Sequence, residues 1–94
     1  KNRIVIFDTE TTGTDTNNDD IIQIAAIEII DGKIDKTFEV YIKTDKSLEE
    51  TESVHHITKE FLEENGLSRK EALKKFKEFV NDTILIAHNA DFDI

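Results

Sequence analysis

The chain has 94 residues, a formal net charge of −9 and no cysteine. This length allows one small domain, which we take to span residues 1–94. Without cysteine the chain can form neither a disulfide framework nor a thiolate metal site, which fits a reducing compartment. It contains no apolar stretch long enough to cross a membrane, so we expect a soluble, cytoplasmic protein. The acidic balance, taken alone, argues against binding to nucleic acid.

An apolar run near the start of the chain predicts a central strand. Ile4–Phe7 is apolar throughout, as is typical of a strand buried on both faces, and it leads into Asp8 and Glu10. Side chains alternate along a strand, so both carboxylates should leave it on the same side. Two adjacent negative charges repel each other unless a cation joins them, and oxygen ligands of this kind favour Mg²⁺ or Mn²⁺.

Two more strands are predicted in the first half of the chain. The polar stretch Thr14–Asp20 indicates a loop, and Ile21–Ile30 indicates a strand. Asp31-Gly32 is a strong hairpin signal. The returning strand alternates, with Phe38, Val40 and Ile42 on one side and Thr37, Glu39 and Tyr41 on the other. Lys43–Ser53 is polar and is predicted to be a loop.

The second half of the chain is predicted to be helical. Thr58 can cap a short helix that runs through Glu64, with Gly66 placed to end it. Ser68 has the capping-box spacing for a second helix. That helix should end at Asn81-Asp82, and its predicted core face consists of Ala72, Leu73, Phe76, Phe79 and Val80.

A last short strand, Thr83–Ala87, comes after these helices. A helical crossover usually returns to a sheet as a parallel strand, so Thr83–Ala87 should lie parallel to Ile4–Phe7. Asp93 would then arrive near Asp8 and Glu10. Three carboxylates from distant segments at one edge of an α/β sheet predict a site for metal-assisted hydrolysis.

The residues at these two strand ends carry a resemblance to a known family. FDTETTG, beginning at Phe7, and HNADFD, beginning at His88, are similar to the first two motifs of the DnaQ-like (DEDD superfamily) 3′–5′ exonucleases. Between them, FEVYIKTD and SVHHITKEFL resemble the proofreading epsilon subunit of bacterial DNA polymerase III. The resemblance implies a ribonuclease-H-like mixed sheet with flanking helices. It also implies removal of nucleotides from DNA 3′ ends, with proofreading in DNA replication as the role.

The resemblance also implies roles for individual residues. Asp8, Glu10 and Asp93 match the catalytic carboxylates that hold two Mg²⁺ or Mn²⁺ ions. Such a pair of ions, about 3.5–4 Å apart, clamps the attacking and leaving oxygens of a phosphoryl displacement. The acidic net charge does not exclude a nuclease, because bound ions neutralise acids clustered in an active site.

The remaining roles concern the substrate. Besides Asp8 and Glu10, the residues that match substrate contacts are Thr11, Thr12 and Gly13 around the 3′ end, Glu50 and His55 at the terminal nucleotide, and Phe92 beside the terminal base. The implied partners are a single-stranded DNA 3′ end and the catalytic subunit of a replicative DNA polymerase, with no membrane.

Several of these residues also have a purely structural interpretation. Glu50 lies in an acid-rich loop and would be solvated there without any function. Of the adjacent His55 and His56, one is expected to be an ordinary surface histidine. His88 can serve only to form hydrogen bonds and cap the next helix.

The chain departs from the family pattern at three places. His56 stands where the family usually has glycine, and its side chain could crowd the substrate loop. Gln23 and Ala25 replace the usual glutamate and glycine. The third motif, which supplies a fourth aspartate and a His or Tyr general base, is absent. We therefore expect the C-terminal part of the fold to be missing from these 94 residues, and the isolated chain to be a weak nuclease.

Three alternatives stay open at this point. One keeps the chemistry and takes RNA as the substrate, as in ribonuclease T-like relatives. Another is a haloacid-dehalogenase-like phosphatase with Asp8 as the nucleophile, because Asp8–Thr12 approximates the Asp-x-Asp-x-Thr start of that family. The last is an inactive fold fragment that binds a metal or a partner.

Overall fold

The computed structural model of the protein describes residues 2–13, 15, 17–48 and 51–87, with the backbone alone for Ile84–Ala87. In chain order the elements are β1 (Arg3–Thr11), β2 (Ile21–Ile30), β3 (Lys33–Tyr41), α1 (Glu52–His55), α2 (Lys59–Asn65), α3 (Arg69–Val80) and β4 (Ile84–Ala87). The four strands form one sheet in the order β3-β2-β1-β4. None of the helices in this described part is both long and apolar enough to cross a membrane.

The first strand is longer and less buried than the sequence predicts. β1 pairs with β2 from Arg3 to Thr11, so Asp8 and Glu10 lie within the strand and not beyond its end. The prediction that β1 is buried on both faces is wrong. Val5 is fully buried, whereas the other residues of the apolar run are only partly buried. Helix α3 packs on the face that carries Val5 and Phe7, and Ile4 and Ile6 point to the opposite, more open face.

The hairpin between β2 and β3 forms as predicted. Asp31 and Gly32 have φ values of 51° and 85°. Positive φ at both turn residues matches the twist of the paired strands. In β3 the predicted alternation is confirmed, because Val40 is buried while Thr37 and Glu39 are exposed.

The last strand returns parallel to the first, which confirms the predicted crossover. Ile84 lies beside Ile4, and Ala87 lies beside Phe7. β1 is therefore an interior strand with β2 on one side and β4 on the other. The chain leaves β4 at the level of the residue that precedes Asp8.

Both predicted helix starts are confirmed by capping hydrogen bonds. The Thr58 hydroxyl accepts from the Phe61 amide, and the Ser68 hydroxyl accepts from the Glu71 amide. These bonds satisfy amides that have no partner inside the helix. Gly66 ends α2 in an extended conformation (φ −80°) and not in the left-handed one expected of a C-terminal glycine. A Cβ at Gly66 would lie 2.5 Å from the Leu62 carbonyl oxygen, so close backbone approach explains the glycine.

Two other sequence predictions are wrong. The predicted loop Lys43–Ser53 ends in the short helix α1, whose first turn begins at Glu52. Leu73 is 41% exposed, although helical spacing places it with the core-facing residues. Helix α3 contacts the sheet through Ala72, Phe76, Phe79 and Val80, which leaves Leu73 at the margin of that face.

Arg3 ties the start of β1 to the end of α3. Its guanidinium forms an ion pair with Glu28 on β2 and donates to the Thr83 hydroxyl. It also donates to the carbonyl oxygens of Phe79 and Val80, at 3.2 and 3.3 Å. These carbonyls belong to the last turn of α3, where a positive charge is favourable. One side chain therefore joins β1, β2 and the C-terminus of the crossover helix.

Candidate active site

The two acidic residues of β1 lie on one face of the sheet. Asp8 pairs with Ala25 and Glu10 with Gln23 in the antiparallel β1–β2 register. Because side chains alternate, Asp8 and Glu10 share the face of Ile6, opposite the one that α3 covers. Both acids are partly buried. The Asp8 carboxylate accepts from the Thr9 amide at 2.9 Å.

An open groove of about 450 Å³ lies beside Asp8. Its lining comes from three strands: Ile6, Phe7 and Asp8 of β1, Ala25, Ala26 and Ile27 of β2, and Thr37, Phe38 and Glu39 of β3. On β2 the small side chain of Ala25, which pairs with Asp8, leaves room between larger neighbours. Asp8 thus borders a mainly apolar surface, which can hold the flat face of an organic group next to a carboxylate.

The third predicted carboxylate, Asp93, lies outside the described residues, as do Glu50 and Phe92. Within the described ranges no three His, Cys, Asp or Glu side chains form a potential metal-binding group. Asp8 and Glu10 nevertheless fit a hard divalent cation, since they offer carboxylate oxygens from alternate positions of one strand. The three-carboxylate site remains a prediction, with two of its members placed on a common face.

The predicted substrate turn, Thr11–Gly13, is held by hydrogen bonds to the two loop residues that precede β2, Asp19 and Asp20. The Thr12 side chain is only 4% exposed. Its hydroxyl donates to the Asp19 carboxylate at 2.8 Å and accepts from the Asp20 amide at 2.9 Å. The Thr11 hydroxyl donates to the Gly13 carbonyl oxygen. The Thr12 hydroxyl therefore holds the turn together, and its direct contact with a substrate stays a prediction.

Of the two adjacent histidines, His55 has a hydrogen-bonded ring and His56 is exposed. His55 ends α1, and its Nδ1 accepts from the Ile57 amide at 3.0 Å. That bond assigns the ring proton to Nε2, which lies 2.9 Å from the Thr51 hydroxyl. His56 is exposed and left-handed, with φ of 59°. Glycine adopts this conformation readily, which is consistent with the glycine that the family resemblance implies at this position.

Gln23, one of the departures from the family pattern, lies opposite Glu10. Its amide donates to Glu39 at 3.1 Å and to the Tyr41 hydroxyl at 3.4 Å. A glutamate at this position could not donate to Glu39 and would add another negative charge beside Glu10. Glutamine instead connects β2 to β3 on the face that carries the two acids.

Sequence reasoning missed the internal order of the loop between β1 and β2. Asp15 accepts from the Asn18 side chain at 2.7 Å and from the Asn17 amide at 3.0 Å. The Asn18 hydrogen bond, followed by the Asn17 amide, holds the pKa of Asp15 below its usual value. Asp and Asn commonly make such local bonds, so the N-N-D-D run was a usable signal for a built turn.

Most of the chain matches a known protein family. A family model described as "Exonuclease" matches residues 5–94. A DNA polymerase III PolC-type from Staphylococcus haemolyticus is 42% identical over 91 residues, and one from Staphylococcus aureus is 41% identical. Each match covers 96% of this chain but only 6% of the polymerase. The chain therefore spans a small part of the curated relatives that it matches.

Solved structures show the same fold. Exonuclease I from Methylocaldum szegediense superimposes with a TM-score of 0.79 at 22% identity, covering 95% of this chain and 20% of that one. Escherichia coli exonuclease I in complex with a dT13 oligonucleotide gives a TM-score of 0.80 at 17% identity, with the same coverage of both chains. At these identities the likeness concerns the fold, a ribonuclease-H-like mixed sheet with helices, as predicted.

Proposed function

This chain belongs to the exonuclease family, and from that premise we propose that it carries the active site of a metal-dependent 3′–5′ exonuclease acting on DNA. One observation carries the proposal. Asp8 and Glu10 share a sheet face, and parallel β4 delivers the chain to the level of Phe7, immediately before Asp8. HNADFD, the second predicted motif, begins at the next residue after β4.

We assign metal binding to Asp8, Glu10 and Asp93, with two Mg²⁺ or Mn²⁺ ions as the cofactors. When bound, such a pair supplies Lewis acidity at the phosphoryl group and a water of lowered pKa. The part played by the chain is to hold carboxylate oxygens at fixed places on an interior strand. Pairing of β1 with both β2 and β4 provides that rigidity.

We assign the 3′-terminal nucleotide to the turn Thr11–Gly13 together with Glu50, His55 and Phe92. Two features support this assignment. The hydrogen bonds of Thr12 fix the turn directly after Glu10 in the chain. Both ring nitrogens of His55 are engaged within residues 51–57, so the ring is held in one orientation.

DNA is the proposed substrate, and replication proofreading is the proposed role. The support comes from the relatives, which are named DNA polymerase III, and from the exonuclease I solved with a dT13 oligonucleotide. We accordingly propose a replicative DNA polymerase as the partner. RNA is the second candidate substrate, and the experiment below separates the two. The phosphatase alternative loses its basis, because residues 5–94 match the exonuclease family.

The test uses the natural full-length protein and a single-stranded oligonucleotide labelled at its 5′ end, with Mg²⁺ or Mn²⁺. A ladder shortened from the 3′ end is expected. Asp8→Asn and Glu10→Gln should each reduce the rate at least about 100-fold, because even groups that only support metal ligands cost 10–100-fold when removed. Asp45→Asn, which removes one charge from an exposed bend, is the matched control.

Full activity of the Asp8 and Glu10 variants would overturn the proposed site. An RNA oligonucleotide of the same sequence is digested in parallel, and faster shortening of that strand would favour the RNA candidate. Shortening from the 5′ end would contradict the proposed direction.

A further inference from the structure

The loop between β1 and β2 contains a carboxylate whose two oxygens both face the predicted substrate turn. We propose that Asp19 is a positioning residue that sets the geometry of Thr11–Gly13 for the 3′-terminal nucleotide. The proposal rests on the proposed function, which assigns that turn to the nucleotide. Neither the family match nor the metal-site prediction assigns a role to Asp19.

The Asp19 carboxylate accepts two hydrogen bonds within the loop. One oxygen accepts from the Thr12 hydroxyl at 2.8 Å, and the other accepts from the Asp15 amide at 2.8 Å. A carboxylate can accept at both oxygens at once, and hydrogen bonds to an ionised group are the stronger kind. Asp19 therefore links Thr12 of the turn to Asp15 of the loop, through one side-chain donor and one backbone donor.

In its observed position the Asp19 carboxylate leaves no room for a Cβ at position 13. A Cβ built on Gly13 would lie 2.5 Å from Oδ2, 2.8 Å from Cγ and 2.9 Å from Oδ1 of Asp19. Every one of these separations is shorter than real Cβ contacts allow. A methyl group at position 13 would therefore force the carboxylate to shift, because Asp19 packs directly against the backbone of the turn.

The end of this loop next to β2 is itself anchored by hydrogen bonds. The Thr12 amide donates to the Asp20 carbonyl oxygen at 2.9 Å, and the Asp20 carboxylate accepts from the Thr44 hydroxyl at 2.7 Å. Asp19 is therefore held in place by its neighbour Asp20, which is hydrogen-bonded both to Thr12 and to Thr44 after β3. A fixed carboxylate can hold Thr12 and Gly13 in place, whereas a mobile one could not.

The geometry predicts how KM for the DNA 3′ end should rank among variants of the full-length protein. Asp19→Ala removes both acceptors, so KM for the DNA 3′ end should rise about 3- to 10-fold, the worth of one or two hydrogen bonds. The turnover number should change little, because Asp19 does not touch the reacting atoms. Asp19→Asn keeps one acceptor oxygen and should fall between the wild type and Asp19→Ala. Asp45→Ala is the control for loss of a surface carboxylate.

A double-mutant cycle tests the packing argument. Gly13→Ala alone should raise KM more than Asp19→Ala does, because its methyl group collides with the carboxylate. In the Asp19→Ala background that collision is gone, so adding Gly13→Ala should cost much less. Additive effects of the two substitutions would overturn the proposal, since residues in contact are expected to couple. Thermal unfolding of each variant identifies any that fail to fold, and Asp19→Asn then carries the comparison.

A binding measurement keeps this inference separate from the proposed function. Thymidine monophosphate with Mn²⁺ is titrated against the wild type and the Asp19 variants, and amide exchange is followed at Thr12 and Asp20. Weaker nucleotide binding with faster exchange supports the positioning role even if DNA is not shortened. Faster exchange with unchanged nucleotide affinity would reduce Asp19 to a structural residue and overturn the proposal.

Discussion

Arg3 and Glu28 form an ion pair between neighbouring strands, and Glu28 is only 3% exposed. Burial alone would raise the pKa of the Glu28 carboxyl, but the hydrogen bonds with Arg3 and Asp35 and the positive charges of Arg3 and Lys36 outweigh it and lower the pKa below its usual value. A carboxyl whose pKa is lower in the folded state stabilises the fold above its unfolded pKa. That stabilisation is lost as the pH falls from about 4.5 through the folded pKa.

We therefore expect the free energy of unfolding to decrease with acidification in this range, and to decrease less steeply in Glu28→Gln. Urea unfolding at a series of pH values measures both slopes. Glu39→Gln, an exposed substitution on the next strand, is the control. If Glu28→Gln kept the wild-type slope, the ion pair would not be the source of the acid sensitivity.

Divalent metal should stabilise the fold through Asp8 and Glu10. Mn²⁺ at about 100 times its Kd is expected to add about 2.7 kcal/mol to the free energy of unfolding. The double variant Asp8→Ala, Glu10→Ala should gain nothing. Equal stabilisation of both proteins, measured by thermal unfolding against Mn²⁺ concentration, would remove these two residues from the site.

The two adjacent histidines should respond differently in nucleotide binding. His55→Ala is expected to weaken binding of a nucleoside monophosphate with Mn²⁺, because it removes the ring and both of its bonds within residues 51–57. His56→Ala should have a much smaller effect. Isothermal titration measures the two affinities, and greater sensitivity at position 56 would show that the assigned register of this segment is wrong.

His56 offers a separate test of backbone strain. A non-glycine residue in the left-handed region costs about 1–2 kcal/mol of strain. Replacing it with glycine removes this strain, but part of the benefit is lost because glycine has more conformational entropy to lose on folding. His56→Gly should therefore raise the free energy of unfolding by up to about 1 kcal/mol. His56→Ala keeps the strain and should not. If the two variants were equally stable, strain at φ of 59° would not be significant.

Two leucines on successive helices provide a matched comparison of burial. Leu62 on α2 is 1% exposed, whereas Leu73 on α3 is 41% exposed. Leu62→Ala should lower the free energy of unfolding by about 2–5 kcal/mol, because it removes buried contacts and leaves a cavity. Leu73→Ala should change it by no more than about 0.5 kcal/mol. Chemical denaturation of both variants decides whether Leu73 contributes to the core.

Much of the fold followed from local patterns. The bounds of β2, the Asp31-Gly32 turn and the caps at Thr58 and Ser68 were predictable, because each depends on residues close together in the chain. The extent of β1 was not predictable, because its last residues are strand only through pairing with β2. The exposure of Leu73 depends on how far α3 is rotated against the sheet, which helical spacing alone does not define.

The candidate site was predictable to a different degree. The common face of Asp8 and Glu10 follows from the period of a strand, and so it could be derived from sequence. The engagement of His55 with Thr51 and Ile57, and the contact of Asp19 with Gly13, depend on how loops fold back on themselves. No periodic pattern records such contacts.

The position of β1 between β2 and β4 has a consequence for biosynthesis. The strand that carries Asp8 is made before the other three, yet its second edge is paired only when Ile84–Ala87 has emerged from the ribosome. Until then a nascent chain has one open edge on its central strand, where another chain could pair. The Arg3 guanidinium likewise forms its hydrogen bonds to Phe79, Val80 and Thr83 only after these residues have been synthesised. Of the four strands, β1 is thus the earliest in the chain, and the last of them completes its pairing.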